Sequence, residues 1–195
     1  ELCGSSQRAS QAADEFLPLV KLSWGERGGY FRGTPACLGC LLTAERFDEL
    51  LALIGTAPYL SWSHRRFGVR ALAGMGRTDE AIDYARTSLG LNGNPVAIAR
   101  ACEEILLDAG RCDEAYNRFA LEANRAGTHL ATCRALIKKY PHKEPRAILD
   151  DLISGLFDVF PHADRGFAAL LEGDSREIVP RLVRDRHDDA TVRPR

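Results

Sequence analysis

The chain has 195 residues, 45% hydrophobic and 27% charged, with 26 Lys and Arg against 27 Asp and Glu for a formal net charge of -1. That balance excludes an intrinsically disordered chain and argues against wholesale binding to nucleic acid or membrane, leaving room for local basic patches. No run approaches the ~18 apolar residues of a membrane helix and no signal peptide is visible; Glu1 in place of Met points to a trimmed chain or a piece of a longer protein.

In chain order, residues 7–23 read as a capping helix with Ala12, Phe16 and Leu19 on one face. Gly25 to Gly33 reads as a glycine-rich connector holding Tyr30 and Phe31. It lacks the preceding strand and the spacing of a nucleotide-binding loop. Four helix hairpins follow, over about 34–57, 62–92, 95–125 and 128–155. Their register comes from a repeat: Gly76-Arg77-Thr78-Asp79-Glu80-Ala81 returns 34 residues later as Gly110-Arg111-Cys112-Asp113-Glu114-Ala115. Such a period is the mark of stacked helix–turn–helix units. An earlier turn, Glu45-Arg46-Phe47-Asp48-Glu49-Leu50, precedes the first copy by 31 residues, and Lys143-Glu144-Pro145-Arg146-Ala147 places Ala147 32 residues after Ala115.

Ala81, Ile82, Ala85 and Leu89 fall on one helical face, and Ala115, Phe119 and Ala123 repeat the spacing. Small alanine at the start of each second helix lets the two helices of a hairpin approach closely. Gly76 and Gly110 fit a positive φ at the end of each first helix, and Asp79 and Asp113 place negative charge near the start of the next. Asn92-Gly93-Asn94-Pro95 and Pro141-His142 break the pattern between elements. Residues 162–172 and 175–186 suggest two more helices, the second disturbed by Pro180, and the tail from Asp188 reads as mobile. The expected organisation is 1–33 cap and connector, 34–155 repeats, and 156–195 C-terminal helices and tail.

The two good copies resemble tetratricopeptide repeats over roughly residues 31–155, though Arg65 and Ala99 stand where that class carries Trp, and Leu72 and Leu106 where it carries Tyr. The resemblance implies an all-α, right-handed α-solenoid of about four divergent hairpins with capping helices. The middle of the chain is also similar to a bacterial family of helical-repeat proteins of unknown function. The similarity lies in Gly29-Tyr30-Phe31-Arg32-Gly33-Thr34, in Ala101-Cys102-Glu103-Glu104-Ile105-Leu106-Leu107, and in Lys138-Lys139-Tyr140-Pro141-His142-Lys143, and it fades after Ile153. It implies a fold and a cytoplasmic bacterial origin, and no activity.

Candidate chemistry is sparse. Cys37-x-x-Cys40 lacks the second ligand pair of a zinc site and the βαβ context of a redox site. Cys37, Cys40, Cys102 and Cys133 sit inside apolar helical patterns and read as packed, reduced thiols in a cytoplasmic setting. His64, His129, His142, His162 and His187 form no ligand pair and read as surface or cap residues, with pH sensing conceivable only at His129. Glu103 and Glu104 diverge by about 100° on a helix. Glu104 and Asp108 share a face but have no nucleophile or base beside them, so a solvated face is expected.

The tetratricopeptide resemblance places Ser63, Arg66, Arg70, Ala73 and Gly74, then Ala97, Arg100, Glu104, Leu107 and Asp108, on the inner surface. Arg32 would flank them on one side and His129, Thr132 and Lys139 on the other. Arg66 and Arg70 are like-charged i, i+4 neighbours, a mildly unfavourable arrangement that an intervening anion, or pairing with Glu104 and Asp108, would explain. Arginine also suits bidentate contact with carboxylates.

The expected function is a protein–protein interaction scaffold or adaptor. It would hold an acidic peptide or tail in a basic concave groove through Arg32, Arg66, Arg70, Arg100, Glu104, His129 and Lys139, with no cofactor and no metal. The alternative is nucleic-acid binding in the same groove, supported by Tyr140, Lys138, Lys139 and the arginine-rich tail and opposed by the net charge. An enzyme using Glu104 and Asp108 ranks last.

Overall fold

Three turns of one geometry set the frame of this chain. In the computed structural model, Gly76 and Gly110 adopt φ of 75° and 73°. The amide of Gly76 donates to Ala73 O at 2.9 Å and that of Arg77 to Leu72 O at 2.9 Å. Gly110 and Arg111 donate to Leu107 O and Leu106 O at 3.0 and 2.8 Å. This paired closure satisfies carbonyls that a helix end would otherwise orphan. The first turn closes the same way, Glu45 to Leu42 O and Arg46 to Leu41 O, but Glu45 stands where the others have glycine and carries φ of 58°. A side chain there costs about 1–2 kcal/mol. Glu45→Gly recovers that and returns about 0.5–1 kcal/mol to the freer unfolded chain, so a net gain of under about 1 kcal/mol in denaturant melts is expected.

The structure describes residues 5–26, 29, 31–59, 61–89 and 93–159, with side chains to 154. The suggested helices at 162–172 and 175–186, the tail, Cys3, Tyr30, His162 and His187 lie outside them. The described residues are all-helical, and no helix among them is long and apolar enough to cross a membrane. The helices are α1 (Ser6–Glu26), α2 (Thr34–Thr43), α3 (Phe47–Gly55), α4 (Trp62–Gly74), α5 (Thr78–Arg86), α6 (Pro95–Asp108) and α7 (Cys112–Ala115), then a π-helical turn (Tyr116–Ala120), α8 (Leu121–Ala123), α9 (His129–Lys139) and α10 (Pro145–Val159). The chain divides into two compact units, Glu1–Phe119 and Ala120–Arg195.

In the first unit each helix packs on its successor, and α4 also packs on α2 and on α6. Leu38 and Leu41 of α2, Leu50 and Ile54 of α3, and Val20 of α1 are at most 1% exposed. Ala81, Ile82 and Ala85 line the inner face of α5, but Leu89 is 53% exposed because the helix stops at Arg86. In α1 the buried stripe is Ala9, Ala13, Leu17, Val20 and Trp24, while Ala12 and Phe16 are only partly buried. Leu19 points outward, at 48% exposure. The expected face was therefore displaced by one residue, since both stripes obey helical spacing and only the neighbouring helix decides between them. After α7 the π-helical turn takes one extra residue, so Tyr116 and Ala120 are buried and Phe119 only half-buried.

Arginine follows the turn in all three copies and folds forward onto the glutamate three residues on. Arg46–Glu49, Arg77–Glu80 and Arg111–Glu114 each close at 2.6 Å. Arg111 also reaches back to Asp79 at 2.8 Å, and Arg46 to Asp14 of α1 at 2.6 Å. The Arg77 pKa is raised first by its hydrogen bond to Glu80, then by the charges of Glu80 and Asp48. Asp14, Asp48, Asp79 and Asp113 thus occupy equivalent places, with Glu15, Glu49, Glu80 and Glu114 following them.

His64 of α4 is buried beside Trp24, with ring centroids 5.6 Å apart. This corrects the expectation of a surface residue: the apolar face of α4 includes His64, Phe67 and Ala71 at helical spacing. Its Nδ1 has no hydrogen-bond partner, and burial holds its pKa below the usual histidine value. A depressed histidine stabilises the fold fully above its unfolded pKa of about 6.5 and loses that contribution as pH falls toward the folded value. Urea midpoints should therefore drop between about pH 7 and pH 5.5, and His64→Phe should flatten that part of the profile.

In the second unit α9 packs on α10. Thr128 caps α9 by accepting from the Ala131 amide at 3.1 Å. Cys133, Leu136, Tyr140 and Ile148 form its interior.

A cleft between two equivalent helices

Helix α4 has two faces of opposite character. Its buried side carries Phe67, Val69 and Leu72. Gly68 belongs there because a Cβ would come within 2.9 Å of the Tyr84 ring of α5. Arg65 lies over that ring at 4.8 Å and donates to Thr87 Oγ1 at 2.6 Å. One turn apart on the other side, Arg66 and Arg70 are exposed.

Helix α6 is started by Asn94, whose side chain accepts from the Ala97 amide at 3.2 Å, and by Pro95. Its buried side carries Ile98, Cys102, Ile105, Leu106 and the carboxylate Glu103, which is fully enclosed and engaged within the protein. Arg100, Glu104 and Asp108 are exposed. The divergence of Glu103 from Glu104 is therefore the divergence of core from surface.

Between α4 and α6 lies an open cavity of about 780 Å³. Arg66, Arg70, Ala73 and Gly74 of α4 line it, with Ala97, Arg100, Glu104 and Asp108 of α6. Of the positions assigned to the inner surface in these two helices, Ser63 and Leu107 do not line it. Its apolar surface includes Trp62, Val69, Ala101 and Ile105, which sequence reasoning missed. Val69 and Ile105 were legible only as core, and both are buried while still touching the cavity. A cavity of a few hundred cubic ångströms, mostly apolar with a few convergent charges, is a usual form of ligand site.

Charges of both signs line this cavity. Among the described residues Arg70, Glu104 and Asp108 enter no ion pair, while Arg46, Arg77 and Arg111 pair at the turns and Arg118 pairs with Glu114. Arg66 stacks 5.0 Å from the Phe67 ring centroid. Arg100 also interacts within the chain.

The flanking candidates are placed differently. Arg32 is exposed in the turn before α2 and does not line the cavity. His129 and Lys139 are exposed on α9, in the second unit. Thr132 is buried: its hydroxyl accepts from the Ala126 amide at 3.0 Å and donates to Thr128 O at 3.1 Å, which takes it out of any binding surface. Tyr140, the ring a nucleic-acid reading would stack on a base, is 0% exposed.

The described cysteines, Cys37, Cys40, Cys102, Cys112 and Cys133, are free thiols, all buried except Cys112. Burial pushes Cys37 and Cys102 up to about 11 and raises Cys133 as well. Such thiols are poor nucleophiles and poor metal ligands at neutral pH. No group of His, Cys, Asp and Glu among the described residues is arranged to hold a metal ion. Compared with known proteins, the chain matches no family model, no curated protein and no solved structure.

Proposed function

We propose that this chain is a protein–protein interaction module, a scaffold or adaptor built as a divergent tetratricopeptide-like right-handed α-solenoid, and that it holds an acidic peptide or protein tail in the α4–α6 cleft. The carrying observation is that Arg66, Arg70 and Arg100 line one cavity. Arg70 is spared from the ion pairs that consume the turn arginines. The turn arginines Arg46, Arg77 and Arg111 are all tightly paired, whereas Arg70 stays exposed and outside any ion pair beside Glu104. Arginine's planar fork matches a carboxylate in two contacts, and the apolar surface beneath can bury the stem of a bound chain. Packed thiols fit a reducing, cytoplasmic setting.

A labelled glutamate-rich peptide should bind saturably in fluorescence anisotropy, with an affinity that weakens only gently with added salt. No binding, together with tight and steeply salt-dependent binding of single-stranded nucleic acid, would transfer the cleft to phosphate recognition.

A further inference from the structure

The cleft is polar along its length. Short turns make α4 and α5 antiparallel, and α6 then returns alongside α4, so the two helices run the same way. In the 34-residue register Arg66 stands level with Arg100, Arg70 with Glu104, and Gly74 with Asp108. All six line the cavity. The end nearer the helix N-termini therefore carries two arginines. The end nearer the C-termini carries Asp108 alone, opposite Gly74, whose missing side chain makes way for the Phe47 ring of α3. The macrodipoles of α4 and α6 reinforce this order, positive at the arginine end and negative at the aspartate end. Arg70 offsets Glu104, and Asp108 repels a purely acidic ligand at its end of the cleft.

From this we infer that the cleft takes an extended peptide of mixed charge, with its acidic side chain between Arg66 and Arg100 and a basic side chain at Glu104 and Asp108. The inference rests on the peptide-binding reading above and names the ligand class for the same cavity. From Arg66 to Gly74 is eight residues of helix, or roughly 12 Å at 1.5 Å per residue. An extended peptide advances about 3.3 Å per residue, so the acid and the base sit three to four residues apart. The apolar stretch between them, Val69, Ala73 and Ala101, suits small or aliphatic side chains in the spacer.

The test is an anisotropy panel on the full chain with blocked, labelled peptides. One set carries two glutamates and two lysines separated by a three-residue alanine–glycine spacer, in both orders. A second has the same composition with glutamates and lysines alternating, and a third keeps the glutamates and replaces the lysines by glutamine. One order of the spaced peptide should bind about tenfold more tightly than the glutamate–glutamine peptide, the size of one well-seated ion pair. The alternating peptide should lose that margin. Asp108→Asn with Glu104→Gln should erase the margin and strengthen the glutamate–glutamine peptide. Far-ultraviolet circular dichroism melts check that the variants fold, as exposed positions should. Equal or better binding of the glutamate–glutamine peptide, indifferent to the Glu104 and Asp108 changes, overturns the mixed-charge inference and leaves the acidic-peptide reading standing. Failure of every peptide to bind overturns both.

Discussion

Leu50→Ala is expected to cost about 2–5 kcal/mol of unfolding free energy, and Ala81→Leu about 1–3 kcal/mol, although the two residues hold the same place in successive repeats. Both are fully buried. Leu50 follows Asp48-Glu49 as Ala81 follows Asp79-Glu80 and Ala115 follows Asp113-Glu114. In the first hairpin the leucine fills a space shared with Leu38, Leu41 and α1. Its truncation leaves a void that the interlocked helices can only partly close. In the second and third hairpins the helices have come together over a methyl group, so a longer side chain must push them apart. Thermal and urea melts of Leu50→Ala, Ala81→Leu and Ala115→Leu should all shift downward. Unchanged melts for both alanine variants would mean that the repeat register, and with it the alignment of Arg66 with Arg100, is wrong.

The second large effect concerns binding. Arg66→Glu or Arg70→Glu should remove about 2–5 kcal/mol of affinity for an acid-bearing peptide. Both side chains are exposed, Arg66 touching the core only where it lies over Phe67, so stability should move by under about 0.5 kcal/mol. Breaking the like-charge i, i+4 pair should raise it slightly, since such pairs cost about 0.2–0.5 kcal/mol. A large loss of stability with peptide binding intact would assign these arginines to internal pairing, and the interaction surface would have to be sought away from the α4–α6 cleft.

Much of this was legible in the residues, for identifiable reasons. Gly76 and Gly110 announced their left-handed backbone because few other residues adopt it at low cost. The Asp-Glu-Ala repeat then fixed which residues of α4 and α6 stand level, and that register brought Arg66, Arg70, Arg100 and Glu104 to one cavity. Properties that depend on a neighbour were not legible. Glu45 takes the glycine conformation because the turn around it over-determines its backbone. His64 is buried because Trp24, forty residues earlier, covers it. The stripe of α1 could be drawn through Phe16 and Leu19 or through Leu17 and Val20, and only the position of α2 selects the second. Thr132 looked like a surface slot until its hydroxyl was found closing the turn before α9. The Arg-x-Asp-Glu spacing, by contrast, is written three times in the sequence, at Arg46, Arg77 and Arg111, and marks the turn ion pairs.

Those turn pairs bear on how such a chain can lengthen. Arg111 holds its own Glu114 and the aspartate one period earlier, and Arg46 holds Glu49 and Asp14 in the same way. A segment such as residues 80–113 therefore carries one arginine that reaches backward and one aspartate that waits for the arginine after it. Copied in tandem, it would join as Asp113 followed by a second Glu80, restoring the Asp-Glu turn at the seam. Each copied Arg111 would find a forward glutamate and a backward aspartate, as the present one does. Duplication of a whole period thus preserves the turn ion pairs of this architecture.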